Sequence, residues 1–209
     1  QEAYATKSAL SIQGSGSKAF LSQTVSSQAL DKSEILDASV YQGIVQYEPT
    51  ELVITAKAGT PISEVEAALD DQGQMLAFEP PRLNNGGADH LGGTLGGMVA
   101  SGLAGPRRLS SGGVRDYVLG VSIINGKGQH LRFGGQVMKN VAGYDVARLL
   151  VGSKGKLAAI CEISFRVLPK AYATTASSTV VESDSQASPV RERIELGLKQ
   201  VFDPKGIFI

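Results

Sequence analysis

Hydrophobic and polar positions alternate with a period of two over several short stretches. The first strand predicted is residues 9–12, which leads into Gly14-Ser15-Gly16-Ser17-Lys18. Strands follow at 43–47 and 51–58, each bounded by turn-forming residues. Thr60-Pro61 then has the order of a cap followed by proline, Ser63-Glu64-Val65-Glu66 places acids in a first turn, and Val65, Ala68 and Leu69 fall at helical spacing until Gly73. Together these predict a small α/β unit over residues 1–74. Residues 75–93 are rich in Pro, Asn and Gly and read as an irregular connection, and 94–103 as a short helix of small residues. A strand at 117–125, a Gly126-Lys127-Gly128 turn and a strand at 129–133 predict a hairpin. With a helix at 146–151 and a long strand at 157–168 they make a second unit, 75–170. Residues 171–189, weakly patterned Ser, Thr and Ala, read as a linker. Residues 190–209 read as an amphipathic helix carrying Ile194, Leu196, Leu198 and Val201, with a tail that packs on the core.

Composition narrows the function classes. A chain of 209 residues, 42% hydrophobic and 19% charged, can bury a substantial core. Lys and Arg number 20 and so do Asp and Glu, so no net field favours nucleic acid, and any anion recognition is local. One cysteine, Cys161, and two histidines, His90 and His130, are too few for a structural zinc or an iron–sulfur cluster, so no metal is expected. No apolar run reaches the ~20 residues of a spanning helix, which predicts no direct membrane insertion; a cytoplasmic location fits, with any membrane association through partners.

Ten of the 25 glycines fall between Gly86 and Gly113. Glycine loses more backbone entropy on folding than any other residue, so such crowding points to backbone that passes close to a ligand or adopts positive φ. Gly14–Lys18, following a strand, can line a concavity for a pyrophosphate with its backbone N–H groups, helped by the hydroxyls of Ser15 and Ser17 and the charge of Lys18; an ordinary surface turn is the alternative. It lacks the third glycine and the distant acid of a Rossmann fingerprint. Gly93-Thr94-Leu95-Gly96-Gly97, with Ala100 and Ser101, offers a bare helix face to phosphate or a ribityl chain; close helix packing is the alternative. Arg107, Arg108 and Arg115 are either diphosphate partners or solvated charges. Asp116 reads as a turn acid that caps backbone N–H groups. Neither histidine has a nucleophile or metal partner in sequence, and His130 falls at a surface position of the hairpin.

The order of these motifs, followed by Val-Met-Lys-Asn-Val-Ala-Gly-Tyr-Asp at 137–145 and Gly-Ser-Lys-Gly-Lys-Leu-Ala at 152–158, resembles the FAD-binding fold of the vanillyl-alcohol-oxidase type, also called PCMH-type. The 137–145 run is similar to the companion subunit of glycolate oxidase, where the catalytic flavin subunit typically has Lys-Asn-Ser/Thr-Thr-Gly-Tyr-Asp. The resemblance implies an α+β fold of two α/β subdomains with FAD between them. It also implies cofactor contacts at Gly14, Ser15, Gly16, Ser17, Lys18, Pro80, Gly93, Thr94, Gly97, Ser101, Gly102, Gly105, Asp116, Gly120, Val121, Gly155 and Ile160. Many relatives link the flavin covalently through a histidine in the first loop; this loop has none, so non-covalent FAD is implied. Lys154 and Lys156 stand where the family usually has Glu and Thr. The closing Phe202-Asp203-Pro204-Lys205-Gly206-Ile207-Phe208 is similar to a C-terminal signature that normally follows a cap domain, and residues 171–189 are too short to be that cap. The implied function is an FAD-binding subunit of a glycolate oxidase complex, partnered by a catalytic flavin subunit and an iron–sulfur subunit; an independent capless oxidoreductase and a scaffold without flavin are the alternatives.

Overall fold

The computed structural model describes residues 1–18, 21, 33–81, 93–135, 145–172 and 189–209, and its mixed α+β order follows the hydrophobic pattern closely. Helix α1 (Glu2–Thr6) precedes strands β1 (Leu10–Gln13), β2 (Glu34–Asp37), β3 (Ile44–Glu48) and β4 (Val53–Lys57). Helix α2 (Ile62–Asp70) and the short strand β5 (Gln74–Met75) come next, then helices α3 (Leu95–Ser101), α4 (Arg108–Ser111) and α5 (Val114–Tyr117). Strands β6 (Val118–Asn125) and β7 (His130–Gly134), helix α6 (Val146–Leu149), strands β8 (Ala158–Arg166) and β9 (Leu168–Pro169), and helix α7 (Pro189–Phe202) complete the order.

The central sheet is antiparallel with strand order β3-β4-β8-β6-β7, so it draws strands from both sides of residue 74. One face carries Ile54, Ala56, Ile123, Ile163 and Phe165, all buried, and α2 and α3 pack into the same core through Val65, Leu69, Leu95, Met98 and Val99. Full burial of each such side chain contributes about 1.5–3 kcal/mol. On β4 and β8 the buried hydroxyls of Thr55 and Ser164 satisfy one another at 2.7 Å. A second, two-stranded parallel sheet pairs β1 with β2, and β5 pairs with β9.

Two local expectations are corrected. Thr60 does not cap α2: its hydroxyl donates to the Gly43 carbonyl at 3.2 Å and accepts from the Gly43 N–H at 2.9 Å, tying the chain ahead of α2 to the loop ahead of β3. The N-cap position falls to Pro61, which has no side chain able to accept a hydrogen bond. The apolar positions of α7 are also less buried than the amphipathic pattern suggests. Leu198 and Phe202 pack on the core, whereas Ile194, Leu196 and Val201 are 56%, 67% and 68% exposed.

The tail after α7 returns to the first sheet. Leu10 bridges Phe208 in parallel register, its N–H donating to the Ile207 carbonyl at 2.6 Å and its carbonyl accepting from the Ile209 N–H at 3.2 Å. β1 is therefore flanked by β2 on one side and the tail on the other, and it ends directly at Gly14.

Candidate cofactor-binding site

A cavity of about 290 Å³ opens where the loop after β1 faces α3. It is lined by Ser11 to Lys18 on one side and by Thr94, Gly97, Ala100, Ser101 and Lys154 on the other. A smaller chamber of about 80 Å³ adjoins it, shares Ile12, Gly14, Thr94, Gly97, Ala100 and Lys154, and adds Gly155 and Ile160. No Asp or Glu of the described residues lines either space, whereas two lysines do. The electrostatics suit an anion.

Local sequence explains the loop geometry. Gly16 has φ 72° and Gly93 has φ 82°, a left-handed conformation that side chains rarely adopt. A Cβ at Gly93 would stand 2.5 Å from Ser17 Oγ and 2.7 Å from Lys18 Nζ, so a side chain there would displace both. Gly14 is held as closely: a Cβ there would lie 2.5 Å from Thr94 Oγ1. Within the loop, Lys18 Nζ donates to Ser17 Oγ at 3.3 Å and Ser15 Oγ to Ser17 Oγ at 3.4 Å. Partial burial pushes the Lys18 ammonium below the usual lysine range, the sign of a cation short of compensating charge.

The hydrogen-bond donors differ from those the sequence suggests. The start of α3 does not aim free N–H groups at the cavity, because Leu95 N–H donates to the Thr60 carbonyl at 2.9 Å, Gly96 N–H to the Ala58 carbonyl at 2.7 Å, and Gly97 N–H to the Thr94 hydroxyl at 3.3 Å. Among the described residues none accepts from the backbone N–H of Ser15, Ser17 or Lys18 in the first loop, which lines the cavity. Gly97, Ala100 and Ser101, spaced i, i+3 and i+4, present small side chains to the same space.

The structure thus brings Gly14, Ser15, Gly16, Ser17, Lys18, Thr94, Gly97 and Ser101 onto one cavity, with Gly93 directly behind the loop and Gly155 and Ile160 on the adjoining chamber. It sets the other expected residues elsewhere. Pro80 and Gly105 line a separate cleft of about 810 Å³. In that cleft Arg107 pairs with Glu79 at 3.0 Å rather than with a diphosphate group. Gly102 ends α3 at φ 65°. Asp116 accepts from the Gly113 N–H at 2.8 Å, the capping role expected of it. Gly120 and Val121 sit in β6 on a groove of about 430 Å³ with Thr55, Ser164 and Arg132. Arg115 donates to the Val151 carbonyl at 3.2 Å. His130 is exposed, its Nε2 2.5 Å from Ser122 Oγ. His90 and residues 137–144 lie outside the described residues. Sequence reasoning missed Ser11, Ile12 and Gln13, whose only signal was their place in the strand before the loop. It also missed Lys154, which lines both spaces from a turn where its backbone has φ 55°.

A glycine-walled, lysine-bearing cavity between the loop after β1 and α3 fits a phosphorylated cofactor, and comparison with known proteins agrees with it. The FAD binding domain family matches residues 1–134, and the chain belongs to that family; FAD is its cofactor. Among individual proteins, the glycolate oxidase subunit GlcE of Escherichia coli (strain K12) is 52% identical over 193 residues, which is 91% of this chain and 51% of that protein. Glycolate oxidase subunit GlcD of Bacillus subtilis (strain 168) is 31% identical over 127 residues, 61% of this chain and 26% of its own length. A solved structure of alkyldihydroxyacetonephosphate synthase shares the fold, with a TM-score of 0.58 at 18% identity over 80% of this chain and 28% of that one. The chain spans about half of GlcE. Among the described residues, no helix is long and apolar enough to cross a membrane.

The residues present fit FAD. Its diphosphate needs N–H donors, a cation and room close to backbone, and the Gly14–Lys18 loop with Gly93 behind it provides all three.

Proposed function

We propose that this chain is the FAD-binding body of a glycolate-oxidase-type subunit, one that works beside a catalytic flavin subunit and an iron–sulfur subunit and does not oxidise substrate alone. The 52% identity to GlcE across 91% of this chain supports the assignment to that subunit type. The observation that supports the cofactor placement is the cavity itself, which Ser15, Ser17, Lys18 and Lys154 line and no described carboxylate does. In this reading the pyrophosphate lies between Gly14–Lys18 and the Gly93–Ser101 segment, with Gly155 and Ile160 beside the adjoining part of the cofactor. No His or Cys of the described residues lines the cavity, which favours non-covalent attachment.

FAD, when bound, supplies a reversible electron acceptor. The chain's own residues have narrower tasks. Lys18 offsets phosphate charge, Ser15 and Ser17 orient phosphate oxygens through their hydroxyls, and Gly93 and Gly97 keep side chains out of the cofactor's path. Oxidation of a 2-hydroxy acid also needs a base for the hydroxyl proton and a cationic clamp for the carboxylate. The described cavity lining offers hydroxyls and lysines but neither imidazole nor carboxylate, so the proton acceptor is assigned to a partner or to a covering domain.

Two assays test this. The purified chain should show a visible flavin band, and a colourless chain that takes up no FAD would mark a scaffold. Glycolate should reduce an acceptor dye only when the other subunits are added. Robust turnover by the chain alone would overturn the subunit reading in favour of an independent oxidoreductase.

A further inference from the structure

Lys199, in the last turn of α7, and Asp203, just beyond it, form an ion pair of 2.7 Å whose carboxylate is fully buried. An i,i+4 pair on a helix surface needs no such burial and contributes little, so the other bonds of this pair indicate what it does. Asp203 accepts from the backbone N–H groups of Ile207 and Phe208, each at 2.8 Å, and so folds the tail back. That tail flanks β1, the strand that delivers Gly14 to the cofactor cavity. Lys199 Nζ donates to the Phe208 carbonyl, on the same tail, and to the Lys156 carbonyl at 2.7 Å. Lys156 follows Lys154 and Gly155, which form the opposite side of the cavity and its adjoining chamber. One ammonium group is therefore bonded to backbone leading to both walls, while neither Lys199 nor Asp203 lines the cavity. Gly126 packs against Asp203 so closely that a Cβ there would lie 2.7 Å from the Asp203 Cα.

We propose that the Lys199–Asp203 pair is a positioning clasp that sets the separation of the Gly14–Lys18 loop from the Lys154–Gly155 turn, and with it the affinity for the dinucleotide. This rests on the reading that the cavity holds the pyrophosphate of FAD. The pair acts through backbone and touches no cofactor atom. Coupling of this kind is reciprocal, so a ligand that needs the two walls at their native spacing must in turn hold the tail in place.

The reciprocal effect is measured on the unaltered protein. Saturation with FAD should slow hydrogen exchange at the Phe208 and Ile209 amides at least severalfold, and unchanged exchange there would overturn the clasp. Lys199→Met keeps the aliphatic stem and removes every donor. It should raise the Kd for FAD at least tenfold at a temperature where circular dichroism shows it folded. Leu69→Val, which lowers stability in the core at a residue that lines neither the cavity nor its adjoining chamber, should leave the Kd within twofold. Wild-type affinity in Lys199→Met, or an equal loss in both variants, would overturn the proposal. If Lys199→Met does not fold, the exchange experiment decides alone. A wild-type chain that takes up no FAD refutes the underlying cofactor reading instead, and that is seen before any variant is made.

Discussion

Gly97→Ala separates the two reasons a glycine can stand in a helix. Gly97 lies inside α3 with ordinary helical φ, and a Cβ there would meet Thr94 Oγ1 at 3.2 Å and Lys18 Nζ at 4.0 Å. Replacing glycine by alanine in a helix interior gains about 0.5–1 kcal/mol. The tight approach to the cap hydroxyl offsets part of that gain, leaving a net change of about 0–1 kcal/mol, or up to about 4 °C in Tm for a chain of this size. The cofactor-free protein should therefore be as stable as wild type or slightly more so. The new methyl group stands between the Thr94 cap and the Lys18 ammonium, on the cavity that all three residues line. It should raise the Kd for FAD at least tenfold, about 1.4 kcal/mol. Gly197→Ala is the matched control: it lies in α7, where an added Cβ would meet nothing within 4 Å, gains the same helix propensity and should leave FAD binding unchanged. Thermal unfolding with and without saturating FAD reads both effects, because a ligand stabilises only as far as it binds the native state. An FAD-induced Tm shift in Gly97→Ala equal to that of wild type would refute the placement of the cofactor against α3.

Thr94→Ala removes the hydroxyl that caps Gly97 N–H and supports Gly14; it should cost about 1 kcal/mol by denaturant unfolding and also weaken FAD binding, and an unchanged unfolding midpoint would contradict the capping role. Lys18→Met should weaken FAD binding and flatten its dependence on salt, since a phosphate-facing cation is lost; an unaltered salt dependence would place the phosphate elsewhere. Without cofactor, Lys18→Met should raise stability at neutral pH. The folded-state pKa of Lys18 lies below its unfolded value, so the unfolded chain binds the proton more tightly and the burial penalty is complete below the folded pKa. That penalty is relieved as pH rises from the folded pKa towards the unfolded one, so the advantage of Lys18→Met over wild type should shrink through that alkaline window, as thermal melts across pH would show.

The strands and helices were legible where period and punctuation agreed. The alternation that ends at Gly126-Lys127-Gly128 marks the β6–β7 hairpin, and Gly73, at φ 63°, stops α2 as its type suggests. Thr60 was not legible as a tether because a hydroxyl before a helix has two competing partners, and the choice of Gly43 depends on a strand edge distant in sequence. The cavity was half legible. Gly14–Lys18 and Gly93–Ser101 stand out because close backbone approach demands glycine and small residues. That the first N–H groups of α3 are already satisfied follows from its packing against Thr60 and Ala58, which no local spacing reveals. Lys154 could not be placed either, since it lines the cavity from a turn with a left-handed backbone, φ 55°, that its residue type does not announce. Pro80, Gly105, Gly120 and Val121 belong to motifs near the cavity in sequence order, yet chain order does not specify which face of a sheet or which end of a helix each residue meets.

The most direct test of the account compares FAD binding by Gly16→Asp and Gly16→Asn. Asp and Asn are alike in size and both tolerate the left-handed backbone that Gly16 adopts at φ 72°, so the two variants differ only by a charge placed on the cavity wall. Titration of each protein with FAD, followed by the flavin absorbance change, should show Gly16→Asn binding measurably and Gly16→Asp at least about tenfold more weakly, the deficit shrinking as salt screens the repulsion. Equal affinity of the two variants at every ionic strength would contradict a pyrophosphate held by the Gly14–Lys18 loop.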